Sequence, residues 1–187
     1  AKHGQEIFQT ASALERDIGF EASVGGGIPI IRTIKEGFVA NRFLSISSII
    51  NGTCNYILSN MSDQGLDFQV VLQEAQALGY AEADPSFDIE GIDAAHKLAI
   101  LAAIAFGTPL AFAGVATEGI GAISAEDIGY AEALGYSIKH LAIARRDEEA
   151  VELRVHPTLI PQRQLLARVD GVMNAILVHG DLHLGER

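Results

Sequence analysis

Between Tyr80 and Lys97 the chain gathers Glu82, Asp84, Asp88, Glu90, Asp93 and Lys97, with Pro85 and Gly91 shaping the backbone between them. Asp93 and Lys97 stand four apart, so on a helix they share a face where a carboxylate can hold and orient an ammonium group. Such a pair can move protons when the ammonium lies at a cleft edge, where desolvation tunes it. Spacing alone also fits an acidic loop that caps a helix, with Asp93 in the first turn and an ordinary exposed ion pair.

Two further stretches could serve a ligand. In IINGTCNYIL a strand ends at Asn51 and Gly52 and a helix begins near Thr53, which leaves backbone N–H groups free to meet a carboxylate or phosphate. The plain alternative is a strand-to-helix turn capped by Thr53. In FEASVGGGIPII, Glu21 precedes a glycine-rich turn whose carbonyls could converge on a hard cation. Ile30 stands where a dinucleotide fingerprint requires its last glycine, so this is no G-x-G-x-x-G motif, and a tight turn feeding a helix also explains it.

Composition narrows the classes. The 187 residues carry 13 Lys plus Arg against 24 Asp plus Glu, a net charge of −11 that argues against nucleic acid as a partner. With 49% hydrophobic and 20% charged residues the chain is outside the disordered range, and its length suits one domain, or one and a fragment, folded around a real core. The single cysteine, Cys54, allows no internal disulfide and points to a reducing, cytoplasmic setting. No histidine near it in sequence suggests a nucleophile, and the six histidines show no paired ligand spacing for zinc. The apolar run from Leu98 to Phe106 is too short to span a bilayer and reads as a buried helix, so no membrane partner is expected. The opening residues carry charges where a signal peptide needs an apolar run, and the chain starts without methionine, which reads as a piece of a longer polypeptide.

The elements that must position these groups follow from periodicity. Ile7, Phe8, Ala11 and Leu14 predict an opening helix that stops before Gly19. GFEASV reads as a short strand, IPIIRTIKEGF as a helix with Pro29 near its first turn, and RFLSISSII as the next strand. TCNYILSNM and DFQVVLQEAQAL are helices, the second capped by Asp67 with Phe68, Val71, Leu72 and Ala75 on one face. GYAEADPSFDIEGID reads as a loop that feeds the apolar helix AAHKLAILAAIAF. Ser124 and Asp127 predict a capped helix start, and YSIKHLAIARR, AVELRVHPTLI and GVMNAILVHG predict strands. The sum is an α+β fold: a two-layer sandwich in which helices pack on one face of a mixed β-sheet.

Taken jointly, EASVGGGIPII, NGTCNYIL, GYAEADPSFDIEGIDAAHKLAIL, and HPTLIP followed by VDGVMNAILVHGD resemble homoserine dehydrogenase in order and spacing. The resemblance runs from about Lys2 to Asp181. It implies an NAD- or NADP-dependent oxidoreductase that interconverts L-homoserine and L-aspartate 4-semialdehyde on the way to threonine, methionine and isoleucine. It also implies that residues 1–20 link to a dinucleotide-binding domain outside this chain. Residues 21–187 then form the substrate-binding, catalytic and dimerisation domain of a homodimer, expected to be inactive alone.

By the same resemblance Lys97 is the proton-transferring residue, and Asp93 positions it or the substrate amine. Glu82 and Asp88 hold the substrate ammonium, Tyr80 contributes its backbone or ring, and Gly52 and Thr53 line the pocket. Gly52 and Glu82 also reach the cofactor. Glu21, Val24, Gly26 and Ile28 match a monovalent cation site of the sodium type, formed mostly by carbonyls. A lysine base suits the reaction, since acid–base help contributes about 10² to 10⁴ in rate. The competing reading is a non-catalytic dimerisation or ligand-sensing module that kept this fold; losing Lys97 and Glu82 would have favoured it, and both are present with Asp88 and Asp93.

Overall fold

The computed structural model describes residues 3–110, 112–148 and 150–181. Its central element is the strand β1 (Phe43–Ile49), whose β-branched alternation buries Ile46 and Ser48 on one side. β1 lies antiparallel between β3 (Tyr136–Asp147) and β5 (Ala175–Gly180), and β3 forms a long antiparallel hairpin with β4 (Ala150–Pro161). A two-residue strand, β2 (Ala116–Thr117), adds in parallel to β4, which makes the sheet mixed, in the order β2-β4-β3-β1-β5.

Helices supply the second layer. α3 (Gly52–Gln64), α4 (Phe68–Ala77), α6 (Ile92–Phe106) and α7 (Ala125–Ala133) bury their apolar stripes, with α6 against β3 and β4. Ala94, Ala95, Leu98, Ala99, Leu101 and Ala102 form the buried side of α6. The four alanines among them let it lie close to Ala142, Ala144 and Val155 of the sheet, while the two leucines fill the core. Truncating Leu98 to alanine would cost about 2–5 kcal/mol through the cavity it leaves. The predicted face of α4 is the buried one, and Ser124 with Asp127 forms the predicted reciprocal cap of α7.

Four expectations are corrected. GFEASV makes no strand: Glu21–Ser23 is a single tight helical turn, because the Glu21 carboxylate is drawn onto the N–H groups of Ile31 and Arg32 at 2.8 and 2.9 Å. The following helix is a short α2 (Ile30–Arg32) that opens into one wider turn, Thr33–Gly37. The acidic stretch is not all loop, since it holds α5 (Ser86–Ile89). Asp67 stands at the start of α4, but its side chain accepts no capping bond.

The opening helix α1 (Gly4–Ala13) exists, yet buries none of its residues, and Ile7, Phe8 and Leu14 are exposed. No helix among the described residues is long and apolar enough to cross a membrane. On the sheet face away from α6, Leu141, Ile160, Leu166 and Ala167 form a small cluster under the turn Leu165–Arg168. Beyond it, no described helix is seen to cover that face, and Leu177 is 38% exposed opposite Ser47.

Candidate functional site

The site is built where β1 ends. Asn51 follows the strand in extended backbone and caps α3, its side-chain oxygen accepting the N–H of Cys54 at 2.8 Å. The cap is therefore Asn51, two residues before the Thr53 expected from the sequence. Its amide nitrogen, turned to the other side, donates to Asp88 Oδ1 at 2.7 Å and to Asp93 Oδ2 at 2.9 Å. One 5% exposed amide thus holds two carboxylates from two different helices.

Asp93 and Lys97 share a face of α6 as their spacing predicts. Lys97 Nζ donates to Asp93 Oδ2 at 2.6 Å and to the Ile50 carbonyl at 3.0 Å. Their side chains are 27% and 19% exposed, so this is a partly desolvated pair rather than the ordinary surface ion pair that spacing also allowed. An ammonium has three donors and two point inward, which leaves one direction open for a ligand. Gly91 puts the pair in place: at φ +80° it ends α5, and a Cβ there would press on Thr117, His140 and Val155 of the sheet at 3.0 to 3.2 Å.

Thr53 Oγ1 donates to the Tyr80 carbonyl at 2.7 Å, which ties the first turn of α3 to the start of the acidic segment. The Tyr80 ring lies 4.8 Å from that of Tyr56, centre to centre, and is half exposed. Glu82 is exposed, and among the described residues its carboxylate makes no hydrogen bond or ion pair, while its carbonyl accepts from Gln76. Asp88, Asp93 and Lys97 are therefore joined through Asn51, Thr53 and Tyr80 are joined to each other, and Glu82 has no bond to either set.

Gly52 is explained by its neighbour. A Cβ there would lie 3.0 Å from the Val172 carbonyl oxygen, so only glycine lets that carbonyl rest against the start of α3. Cys54 is wholly buried, donates to the Asp88 carbonyl at 3.2 Å, and burial pushes its thiol well up. It is a packing residue.

In the glycine turn, Val24 is buried and Gly25 and Gly26 adopt φ +78° and +58°. The carbonyls of Val24 and Gly26 accept no hydrogen bond from the described residues, whereas that of Ile28 accepts the Ile30 N–H at 2.7 Å. Free carbonyls suit a hard cation, but the Glu21 carboxylate is committed to α2. Among the described residues no group of three or more His, Cys, Asp or Glu side chains could hold a metal.

Asn51 and the chain's hold on residues 169–173 are what sequence reasoning missed. Asparagine before Gly-Thr at a strand end is a helix-cap signal, and that alone could have pointed to Asn51.

An α+β domain with one helix-covered sheet face and a carboxylate–lysine pair at the end of its central strand is thereby defined, and its relatives are known. Residues 29–185 match the family model for homoserine dehydrogenase. A homoserine dehydrogenase of Pseudomonas aeruginosa is 60% identical over 181 residues, covering 97% of this chain and 42% of that protein. One of Bacillus subtilis is 44% identical over the same shares. The crystal structure of a homoserine dehydrogenase from Thiobacillus denitrificans superposes with a TM-score of 0.94 at 62% identity, over 96% of this chain and 42% of that one. The chain belongs to the homoserine dehydrogenase family and spans about 42% of the length of these relatives.

Proposed function

We propose that the polypeptide bearing this chain is an NAD- or NADP-dependent oxidoreductase of the cytoplasm that interconverts L-homoserine and L-aspartate 4-semialdehyde, in the biosynthesis of threonine, methionine and isoleucine. The single observation that carries this is the Lys97–Asp93 pair held at 2.6 Å beside Asp88, in a chain of this family.

The residues divide the work. In the reductive direction the free N–H of Lys97 gives its proton to the aldehyde oxygen as hydride reaches the carbon. In oxidation the resulting neutral amine takes the hydroxyl proton of homoserine on its lone pair, with Asp93 and the Ile50 carbonyl holding the nitrogen in place throughout. Asp88, steadied by Asn51, and the exposed carboxylate of Glu82 bind the substrate ammonium. Tyr80, Gly52 and Thr53 line the pocket around it. The hydride chemistry belongs to the nicotinamide. Its binding is assigned mainly to the part of the polypeptide outside this chain, with Gly52 and Glu82 on its margin.

A sodium-type ion would sit on the carbonyls of Val24 and Gly26, with Glu21 holding the turn through α2 rather than by its own oxygens. The open face of the sheet around Leu177 supports a homodimer.

The test is L-homoserine-dependent NAD(P)H formation by the full-length polypeptide, with both cofactors, beside the Lys97→Ala variant. Turnover lost in that variant is the expected result. Turnover that survives removes Lys97 from its role, and an inactive parent overturns the function and returns the non-catalytic module.

A further inference from the structure

We propose that Lys139 is a positioning residue for the substrate pocket, acting by fastening residues 169–173 along the first half of α3. The proposal rests on the dehydrogenase reading only for what the pocket binds.

Lys139 lies on β3 and is 3% exposed. A buried ammonium is costly unless every donor is met, and here each is. Nζ donates to Asp170 Oδ1 at 2.7 Å, to the Val169 carbonyl at 2.9 Å and to Ser59 Oγ on α3 at 3.4 Å. The Ser59 hydroxyl in turn accepts the Gly171 N–H at 3.2 Å. One turn earlier on α3, the buried Asn55 amide donates to the carbonyls of Val169 and Met173 at 3.0 and 3.2 Å. One further turn brings Gly52, against which the Val172 carbonyl rests. Lys139, Ser59, Asn55 and Gly52 thus form one line of attachment from the sheet to the mouth of the site.

The line ends at residues assigned to the pocket, yet among the described residues no hydrogen bond joins Lys139, Ser59 or Asn55 to the Lys97–Asp93 pair. Val172 and Met173 are exposed at that end, so the loop presents a wall beside Gly52 and Thr53. A side chain needed only to fill the core here would be apolar, because a well-packed hydrophobe is often no less stable than a buried ion pair. What the ammonium adds is direction: it accepts only one placement of the Asp170 carboxylate and the Val169 carbonyl. Releasing it lets the wall shift while the proton-transfer pair stays intact, so substrate binding suffers and the chemical step does not.

The experiment uses the full-length polypeptide with Lys139→Met and, separately, Asp170→Asn. The Asp170 side chain is 62% exposed, so the second variant keeps the comparison alive if the first does not fold. Steady-state kinetics should show the KM for L-homoserine raised about tenfold or more, with kcat changed less than about twofold and the cofactor KM unmoved. Hydrogen exchange should rise in residues 169–173 while residues 92–106 keep their protection. Lowered stability with unchanged homoserine KM, or a loop that stays protected in both variants, overturns the proposal. If the unmodified polypeptide does not turn over homoserine, the functional reading fails, and the exchange data still decide whether Lys139 holds the loop.

Discussion

Lys97 Nζ donates to the main-chain carbonyl of Ile50 at 3.0 Å, which fastens the middle of α6 to the last residue before the Asn51 turn. The lysine is therefore aimed by a backbone atom as well as by Asp93, and its direction does not depend on the carboxylate alone.

This separates charge from proton transfer. Lys97→Arg keeps a cation beside Asp93 but cannot give up its proton at any working pH. Homoserine oxidation by the full-length polypeptide is expected to fall by about 10² to 10⁴ while the protein still folds. Initial rates and a thermal melt check it, and a variant with near-normal rates would mean that Lys97 acts only as a charge.

Asn51→Ser tests the two-carboxylate bridge. Serine caps helices about as well as asparagine, so α3 should survive with stability changed by less than about 1 kcal/mol. The bonds to Asp88 and Asp93 are lost together, and kcat/KM for homoserine should drop about tenfold or more. Urea unfolding and kinetics on the same sample distinguish a broken cap from a broken bridge.

Stability should carry a signature of His140. Its Nε2 donates to the Glu118 carbonyl at 2.9 Å, Nδ1 is buried with no partner among the described residues, and burial, more than the nearby His156, holds the imidazole below the usual histidine range. A folded-state pKa below the unfolded value near 6.5 means that the unfolded chain binds the extra proton first. The contribution is therefore flat above about pH 6.5 and turns destabilising as pH falls below it. Urea midpoints at pH 7.5 and 5.5 should differ more for the parent than for His140→Gln; equal differences would show that His140 titrates as if exposed.

Leu177→Glu places a charge on the open sheet face next to Ser47 without entering the core. Analytical ultracentrifugation of the full-length polypeptide should show a dimer for the parent and a shift towards monomer for the variant. An unchanged dimer would put the contact elsewhere.

Local signals made much of this fold legible. Phe68, Val71, Leu72 and Ala75 declare the buried side of α4 within ten residues, and Ser124 with Asp127 satisfies its own helix start. The Asp93–Lys97 pair was legible for the same reason, being four residues apart on one helix. What the sequence hid was set by partners far along the chain. Glu21 looks like a strand residue until Ile31 and Arg32, ten and eleven positions on, claim its carboxylate. Asn51 looks like a turn until Asp88, 37 positions away, meets its amide. Lys139 looks like an alternating strand position, and only Asp170, 31 positions later, gives it a task.

Gly91 bears on how the site meets its substrate. Because the segment at that point lies flat on Thr117, His140 and Val155, with the Ile120 N–H bonded to the Ile89 carbonyl at 2.8 Å, the two carboxylates that flank it have nowhere to relax. Bringing like charges together is therefore done once, as the chain folds, and is not repeated each time a ligand arrives. The two carboxylates are thus preorganised by the fold itself, through Asn51 on one side and the packing of Gly91 on the other.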